Sequence, residues 1–118
     1  MYRRGTALLL AVPVLAVLAW TPTAAAGEPP TKPTATRQAE LMHRLKHDCG
    51  SCHGMTLKGG LGPALLPAKL AERSDEELVE VILEGRPGTP MPPWDFEIPR
   101  AEAAWLVRQL RKGLDHGQ

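Results

Sequence analysis

The chain has 118 residues, with 14 basic and 13 acidic side chains, a formal net charge of +1, and aromatic residues at only 4% of positions. This balance of charge disfavours a nucleic-acid binder. A single small domain with so few bulky side chains buries little apolar surface, so we expect a disulfide, a metal or a cofactor inside it.

The N-terminus has the pattern of a secretory signal peptide. Arg3 and Arg4 precede a run of fourteen mostly apolar residues, Ala7 to Trp20, and three small residues then end at Ala26. We predict that residues 1–26 are removed during export to the periplasm; an uncleaved anchor is the alternative. The run is shorter than the about 20 residues that cross a bilayer, so no stable membrane association is expected. Two arginines leave with the signal, and the remaining 92 residues carry 12 basic and 13 acidic side chains.

The first part of the mature chain is predicted to be a tether, a helix and a loop. Residues 27–36 are rich in proline and small residues, which favours a flexible segment. A helix is predicted from Arg37, with Thr36 as its N-cap. Gly50 to Pro63 contains five glycines and is predicted to be a loop. The expected inward face of the helix consists of Leu41, Met42, Leu45 and Cys49.

The second part alternates helices with a proline-rich loop. Pro67 to Arg73 is predicted to form a short helix, and a capping box at Ser74 begins another that ends at Gly85. Its inward face is expected to hold Leu78, Val81 and Ile82. The segment from Arg86 to Pro99 contains five prolines and should lack regular structure.

A final helix is predicted from Arg100 to Lys112, with Gly113 after it and a short tail at residues 114–118. Its expected inward residues are Ala103, Leu106, Val107 and Leu110. No segment has the alternation of a strand, so the predicted fold class is all-α, with one domain spanning residues 37–113.

The sequence from Cys49 to His53 has the Cys-x-x-Cys-His pattern of c-type haem attachment. Two thiols at this spacing can form thioethers with the two vinyl groups on one edge of a porphyrin, and the adjacent His53 is then held against the iron. We therefore predict one haem c, attached through Cys49 and Cys52 and ligated by His53.

Three other interpretations use the same residues. A Cys49–Cys52 disulfide closes a very small loop and does not require His53. A thiol oxidoreductase would need the strands of a thioredoxin-like fold, which the pattern does not contain. A zinc site could use His43 and His47 together with both cysteines, at a spacing that is not typical of zinc fingers.

Met91 is the predicted second axial ligand of the iron. Met55 is only two residues from His53, a reach of about 7 Å, which is too short for a ligand on the opposite face. Met42 is expected in the core, His43 and His47 on the helix surface, and His116 at a fraying terminus. Prolines on both sides of Met91 stiffen its loop and reduce the ordering cost of ligation.

Two further residues are assigned to the same site. A ligating imidazole needs an acceptor for its second N–H, and the segment Gly62-Pro63 offers a backbone carbonyl. Trp94 is expected either to contact the haem or its propionate, or only to pack within its own loop.

With these motifs the sequence resembles a class I cytochrome c. The resemblance covers residues 37–112 and includes the segment Met91-Pro-Pro-Trp94 and the closing helix. It implies a fold of three to five helices around one haem, axial ligation by His53 and Met91, and a hydrogen bond from the histidine to the carbonyl of Pro63. It also implies that the first and last helices interlock, with the Leu41/Leu45 face against Leu106 and Leu110.

More narrowly, the haem motif and the methionine loop resemble NirC-like cytochromes, which are small periplasmic monohaem proteins of denitrifying bacteria. This resemblance implies a monomeric one-electron carrier whose partners are cytochrome cd nitrite reductase or a protein that matures its d-type haem. The alternative is a peroxidase-like haem enzyme, which would need an exchangeable iron position and acid/base groups above it. An acidic segment at residues 72–84 and a basic one at 100–112 are expected to be two solvated helix faces.

Overall fold

Residues 32–114 are the part of the chain that this computed structural model describes, and they contain helices and loops without a strand. The predicted all-α fold class is therefore confirmed. The signal peptide predicted at 1–26, the first half of the predicted tether, His116 and most of the predicted tail lie outside the described residues.

The first helical segment is longer than the sequence indicated. Helix α1 spans Ala35–Arg44, and its N-cap is Thr34, whose hydroxyl accepts a hydrogen bond from the Arg37 N–H at 3.3 Å. The prediction that Thr36 is the cap was wrong, because the helix has already begun there. The segment continues through a π-helical turn at Leu45–Cys49 into α2, Gly50–His53. The predicted loop consequently begins at Gly54 instead of Gly50.

Three further helices occur where the sequence predicted them, although the first ends at Leu70 and was predicted to reach Arg73. Helix α3 spans Pro67–Leu70, α4 spans Asp75–Glu84 and α5 spans Arg100–Lys112. The capping box is present, since Ser74 accepts from the Glu77 N–H and Glu77 accepts from the Ser74 N–H. Local capping chemistry therefore sets the start of α4, as expected.

One buried cluster joins all the larger helices. The residues predicted for the inward face of α4, Leu78, Val81 and Ile82, are half-buried and line a cavity. The buried residues of α4 are instead Val79 and Leu83. The predicted inward face of α5 is buried and gains Trp105. Helices α1 and α5 both contribute to the cluster, whose members are Leu41, Leu45, Leu57, Leu70, Val79, Leu83, Ile98, Ala103, Trp105, Leu106, Val107 and Leu110.

Ion pairs connect the acidic and basic segments. Arg100 contacts Glu76 at 2.7 Å and Glu80 at 2.5 Å, and Arg111 contacts Asp75 at 2.8 Å. The expected two solvated faces are thus packed side by side, and much of their charge is compensated within the domain.

The ion pair between Arg37 and Glu102 joins α1 to α5. The Arg37 guanidinium donates to both carboxylate oxygens of Glu102 and to the carbonyl of Glu97. The hydrogen bonds that Arg37 donates to the carboxylates of Glu102 and Glu40 raise the pKa of Arg37 above its ordinary value. Among the described residues, no helix has both the length and the apolar character that a membrane span requires.

Candidate functional site

A cavity of about 640 Å³ lies between the haem-motif segment, α4, α5 and the proline-rich loop. Its volume falls in the range of about 300–1,000 Å³ typical of small-molecule sites. The wall is mostly apolar. It includes Leu78, Val81 and Ile82, which the sequence analysis assigned to the inward face of α4. The apolar side chains on the wall include Leu45, Leu65, Leu70, Leu78, Val81, Ile82, Ile98, Leu106, Val107 and Leu110.

His53 is a nearly buried residue on this wall, with 8% of its surface exposed. Its Nδ1 lies 2.7 Å from the carbonyl oxygen of Pro63. Because a carbonyl only accepts hydrogen bonds, Nδ1 carries the proton, and Nε2 keeps a lone pair. This is the arrangement that a metal-ligating histidine requires of its non-ligating nitrogen.

Gly62 packs directly against the imidazole. A Cβ built on Gly62 would lie 2.8 Å from Cε1 and 2.9 Å from Nδ1 of His53. Residue 62 must therefore lack a side chain for the loop to reach the ring and present the Pro63 carbonyl. The sequence identified the Gly62-Pro63 segment, but this close approach is visible only in the structure.

Cys49 and Cys52 both line the cavity, are half-buried, and form no disulfide. The π-helical turn before α2 carries Cys49, and such turns are frequent at functional sites. Burial, together with the nearby Asp48 carboxylate, raises the pKa of the Cys49 thiol to about 11. A raised pKa disfavours the thiolate that thiol–disulfide exchange requires, which argues against an oxidoreductase.

Met91 reaches the cavity from the loop that follows α4. The loop is fixed at its base by a hydrogen bond of 3.2 Å from the Arg86 N–H to the Met91 carbonyl. Gly85 ends α4 with φ of +68°, and a Cβ there would lie 2.7 Å from Met91 O. Both the backbone angle and this close approach require glycine at the position where the methionine loop crosses the helix end.

Trp94 is half-buried and also lines the cavity. The backbone N–H of Trp94 donates to the carbonyls of Ile82 and Leu83 at the end of α4, which anchors the far side of the loop. The Arg44 guanidinium carbon lies 5.8 Å from the centroid of the indole ring. Trp94 therefore joins α4, α1 and the cavity wall.

The remaining candidate ligands lie away from this cavity. Met55 is 50% exposed, and His43 and His47 are exposed with their rings 4.2 Å apart on the outer side of the first segment. Within residues 32–114, no group of three or more His, Cys, Asp or Glu side chains is arranged to hold a metal ion. The zinc alternative thus lacks a ligand cluster in this part of the chain.

Comparisons with known proteins identify the family of the chain. Residues 34–108 match the family model described as "Cytochrome C oxidase, cbb3-type, subunit III". Cytochrome c55X of Pseudomonas aeruginosa is 54% identical over 81 residues, which covers 69% of this chain and 68% of that protein.

Two solved structures are also similar. One, a c-type cytochrome NirC, is 54% identical with a TM-score of 0.66, and the match covers 68% of this chain and 94% of that one. The other, dihydro-heme d1 dehydrogenase NirN in complex with DHE, is 35% identical with a TM-score of 0.58 over 63% of this chain and 16% of that one. The chain therefore belongs to the c-type cytochromes, in the NirC-like group, and is a haem-iron electron-transfer protein and not an enzyme.

Proposed function

We propose that this protein is a periplasmic one-electron carrier with a single haem c, attached through Cys49 and Cys52 and ligated by His53 and Met91. The observation that supports this most directly is the hydrogen bond from His53 Nδ1 to the Pro63 carbonyl, on the wall of an apolar cavity that both cysteines and Met91 also line.

The bound haem would supply an iron that cycles between the ferric and ferrous states. The protein's part is to hold the ligands still during this change. Pro63 and Gly62 fix the orientation of His53 from one side. On the other side, prolines flank Met91, and the Arg86 N–H holds its carbonyl. Apolar side chains from α4 and α5 line the cavity and would shield the bound haem from water.

Export to the periplasm fits this proposal, because residues 1–26 have the pattern of a signal peptide. As its partner we propose cytochrome cd nitrite reductase or a protein that matures its d-type haem. The support is the likeness to a NirC cytochrome and to a segment of a dihydro-heme d1 dehydrogenase. We expect the protein to act as a monomer.

The test of axial ligation is a pair of methionine variants. Loss of a neutral thioether ligand destabilises the ferrous state, so Met91→Ala should lower the reduction potential and allow external ligands such as carbon monoxide to bind. The covalent haem should remain, as measured by intact-protein mass. The control Met55→Ala should keep the sulfur-to-iron charge-transfer band. Loss of that band in Met55→Ala, with retention in Met91→Ala, would reverse the assignment.

The test of the partner is stopped-flow mixing of the reduced protein with each candidate. Electron exchange with cytochrome cd nitrite reductase or with the maturation protein supports the proposed pathway. If neither protein exchanges electrons with it while a small inorganic oxidant does, the proposed partners are wrong and the protein is a carrier for another partner.

A further inference from the structure

Two histidines lie side by side on the surface of the first helical segment. The ring centroids of His43 and His47 are 4.2 Å apart, the angle between the ring planes is 35°, and both side chains are exposed. Among residues 32–114, neither imidazole has a hydrogen-bond or ion-pair partner. The fold therefore uses neither ring, and both are open to a ligand from solvent.

The backbone fixes this pairing. His43 belongs to α1 and His47 to the π-helical turn that continues it, so the two residues are four positions apart on one continuous helical segment. Residues at this spacing lie on the same face of a helix. The opposite face is anchored, because Leu41 and Leu45 are buried in the core. The two histidines consequently point outward from a fixed support.

The separation of the rings is close to that of two imidazoles bound to one metal ion. Metal–nitrogen bonds of about 2.0–2.1 Å and a ligand angle of about 90–110° place the two ring centroids about 4.5–5.2 Å apart. The observed 4.2 Å is slightly shorter, and a small side-chain rotation in two exposed residues brings the rings to this distance. Apart from that rotation, the pair of ligands is already in position.

This pair is separate from the cavity and from the four-ligand zinc site considered for the sequence. Neither His43 nor His47 lines the cavity, whereas Cys49 and Cys52 do. Within residues 32–114, no third His, Cys, Asp or Glu side chain completes a cluster with the two imidazoles. The chain then supplies two ligands and water fills the remaining positions, so the ion at this site is exchangeable.

We infer that His43 and His47 bind a divalent transition-metal cation, with Cu²⁺ bound most tightly. Imidazole suits copper, nickel and zinc, and sites of nitrogen and oxygen ligands generally bind Cu²⁺ more tightly than the other divalent ions of the first transition series. Because one ligand lies in α1 and the other in the π-helical turn, the bound ion joins these two elements and stabilises the segment that precedes His53. The inference goes beyond the proposed function and requires no haem in the cavity.

The test measures Cu²⁺ binding to the full exported protein, which is oxidised beforehand so that the copper stays divalent. Competition with a chelator of known affinity gives the dissociation constant, and the EPR spectrum of the bound Cu²⁺ gives the number of nitrogen ligands. The variants are His43→Ala, His47→Ala and the double variant. His116→Ala is the matched control, because it also removes one imidazole, and Lys46→Ala controls for a change on the same helical segment.

The wild-type protein should bind Cu²⁺ with the EPR splitting of two nitrogen ligands. His43→Ala and His47→Ala should each weaken binding on the order of a hundredfold, because one of two linked ligands is lost. His116→Ala and Lys46→Ala should retain the wild-type affinity. Zn²⁺ should raise the melting temperature of the wild type and of both controls, and it should leave that of each histidine-pair variant unchanged.

Equal Cu²⁺ affinity in the wild type and in the double variant would overturn the inference, as would a loss of binding in His116→Ala. Because both rings are exposed, the variants should fold, and their haem absorption spectra verify this. Failure of the proposed function is seen separately, as a wild-type protein without covalent haem. That result would leave the Cu²⁺ affinities of the variants to decide the metal site.

Discussion

Gly62→Ala should displace the proposed haem ligand without changing any group that contacts iron. The new methyl group would lie 2.8 Å from Cε1, 2.9 Å from Nδ1 and 3.2 Å from Nε2 of His53. Carbon atoms in contact are normally about 3.5–4.0 Å apart, so the overlap is roughly half an ångström or more. The ring cannot retreat freely, because its Nδ1 is bound to the carbonyl of the adjacent Pro63 at 2.7 Å.

The loss of folding stability in Gly62→Ala can be estimated for two structural outcomes. If the ring stays, overpacking of this kind costs about 1–3 kcal/mol. If the ring tilts, the hydrogen bond to Pro63 is lost, at about 1 kcal/mol, together with the alignment of Nε2. With roughly 4–8 °C of melting temperature per kcal/mol in a domain of this size, a cost of about 2 kcal/mol lowers the melting temperature by roughly 8–16 °C.

The assay is thermal unfolding of the ferric holoprotein, followed by the haem spectrum and by the reduction potential. Gly50→Ala is the control, since its Cβ would meet no atom closer than 3.5 Å and lies within the first helical segment. Alanine favours a helix by up to about 1 kcal/mol, so this variant should be as stable as the wild type or more stable. A Gly62→Ala protein with unchanged melting temperature and spectrum would refute the argument that the ring is confined.

Three further outcomes are expected. Ser74→Ala should destabilise the protein by about 1 kcal/mol, measured by chemical unfolding, because it removes the N-cap of α4; an unchanged unfolding midpoint would contradict a role for the cap. The hydrogen bonds from Ser74 lower the pKa of Glu77. The stability that they provide is therefore present at neutral pH and is lost as the pH falls through the folded-state pKa of Glu77. The capping box should consequently contribute less to the free energy of unfolding in acid. Cys52→Ser should yield little periplasmic protein, because the haem proposed to fill the cavity would no longer be securely attached and would stabilise the fold less. Recovery of a cooperatively melting, haem-free helical monomer would show that the hydrophobic core is sufficient for folding.

Local sequence signals were enough to locate several helix ends. Ser74 and Gly85 bound α4, and Gly113 ends α5 as predicted, because capping depends on hydrogen bonds and backbone angles within a few residues. The start of α1 was placed too late, at Thr36 instead of Thr34, since either threonine satisfies the same local rule.

The residues that the sequence assigned to the site all line the cavity: Cys49, Cys52, His53, Pro63, Met91 and Trp94. The Cys-x-x-Cys-His motif and the proline-flanked methionine are short patterns with a direct chemical reason, and residues of both line the same cavity. The helical continuation through Gly50 was missed, because a cluster of glycines normally indicates a loop.

Features that depend on distant residues were decided by the tertiary structure alone. Hydrophobic spacing cannot distinguish a side chain that packs in the core from one that lines a cavity, so the sequence assigned Ile82 to the inward face of α4 and missed Val79. Charge composition likewise could not show that Arg100 pairs with Glu76 across two packed helices. The approach of Gly62 to His53 has the same origin: a contact between segments is set by how the chain packs, and no local pattern encodes its distance.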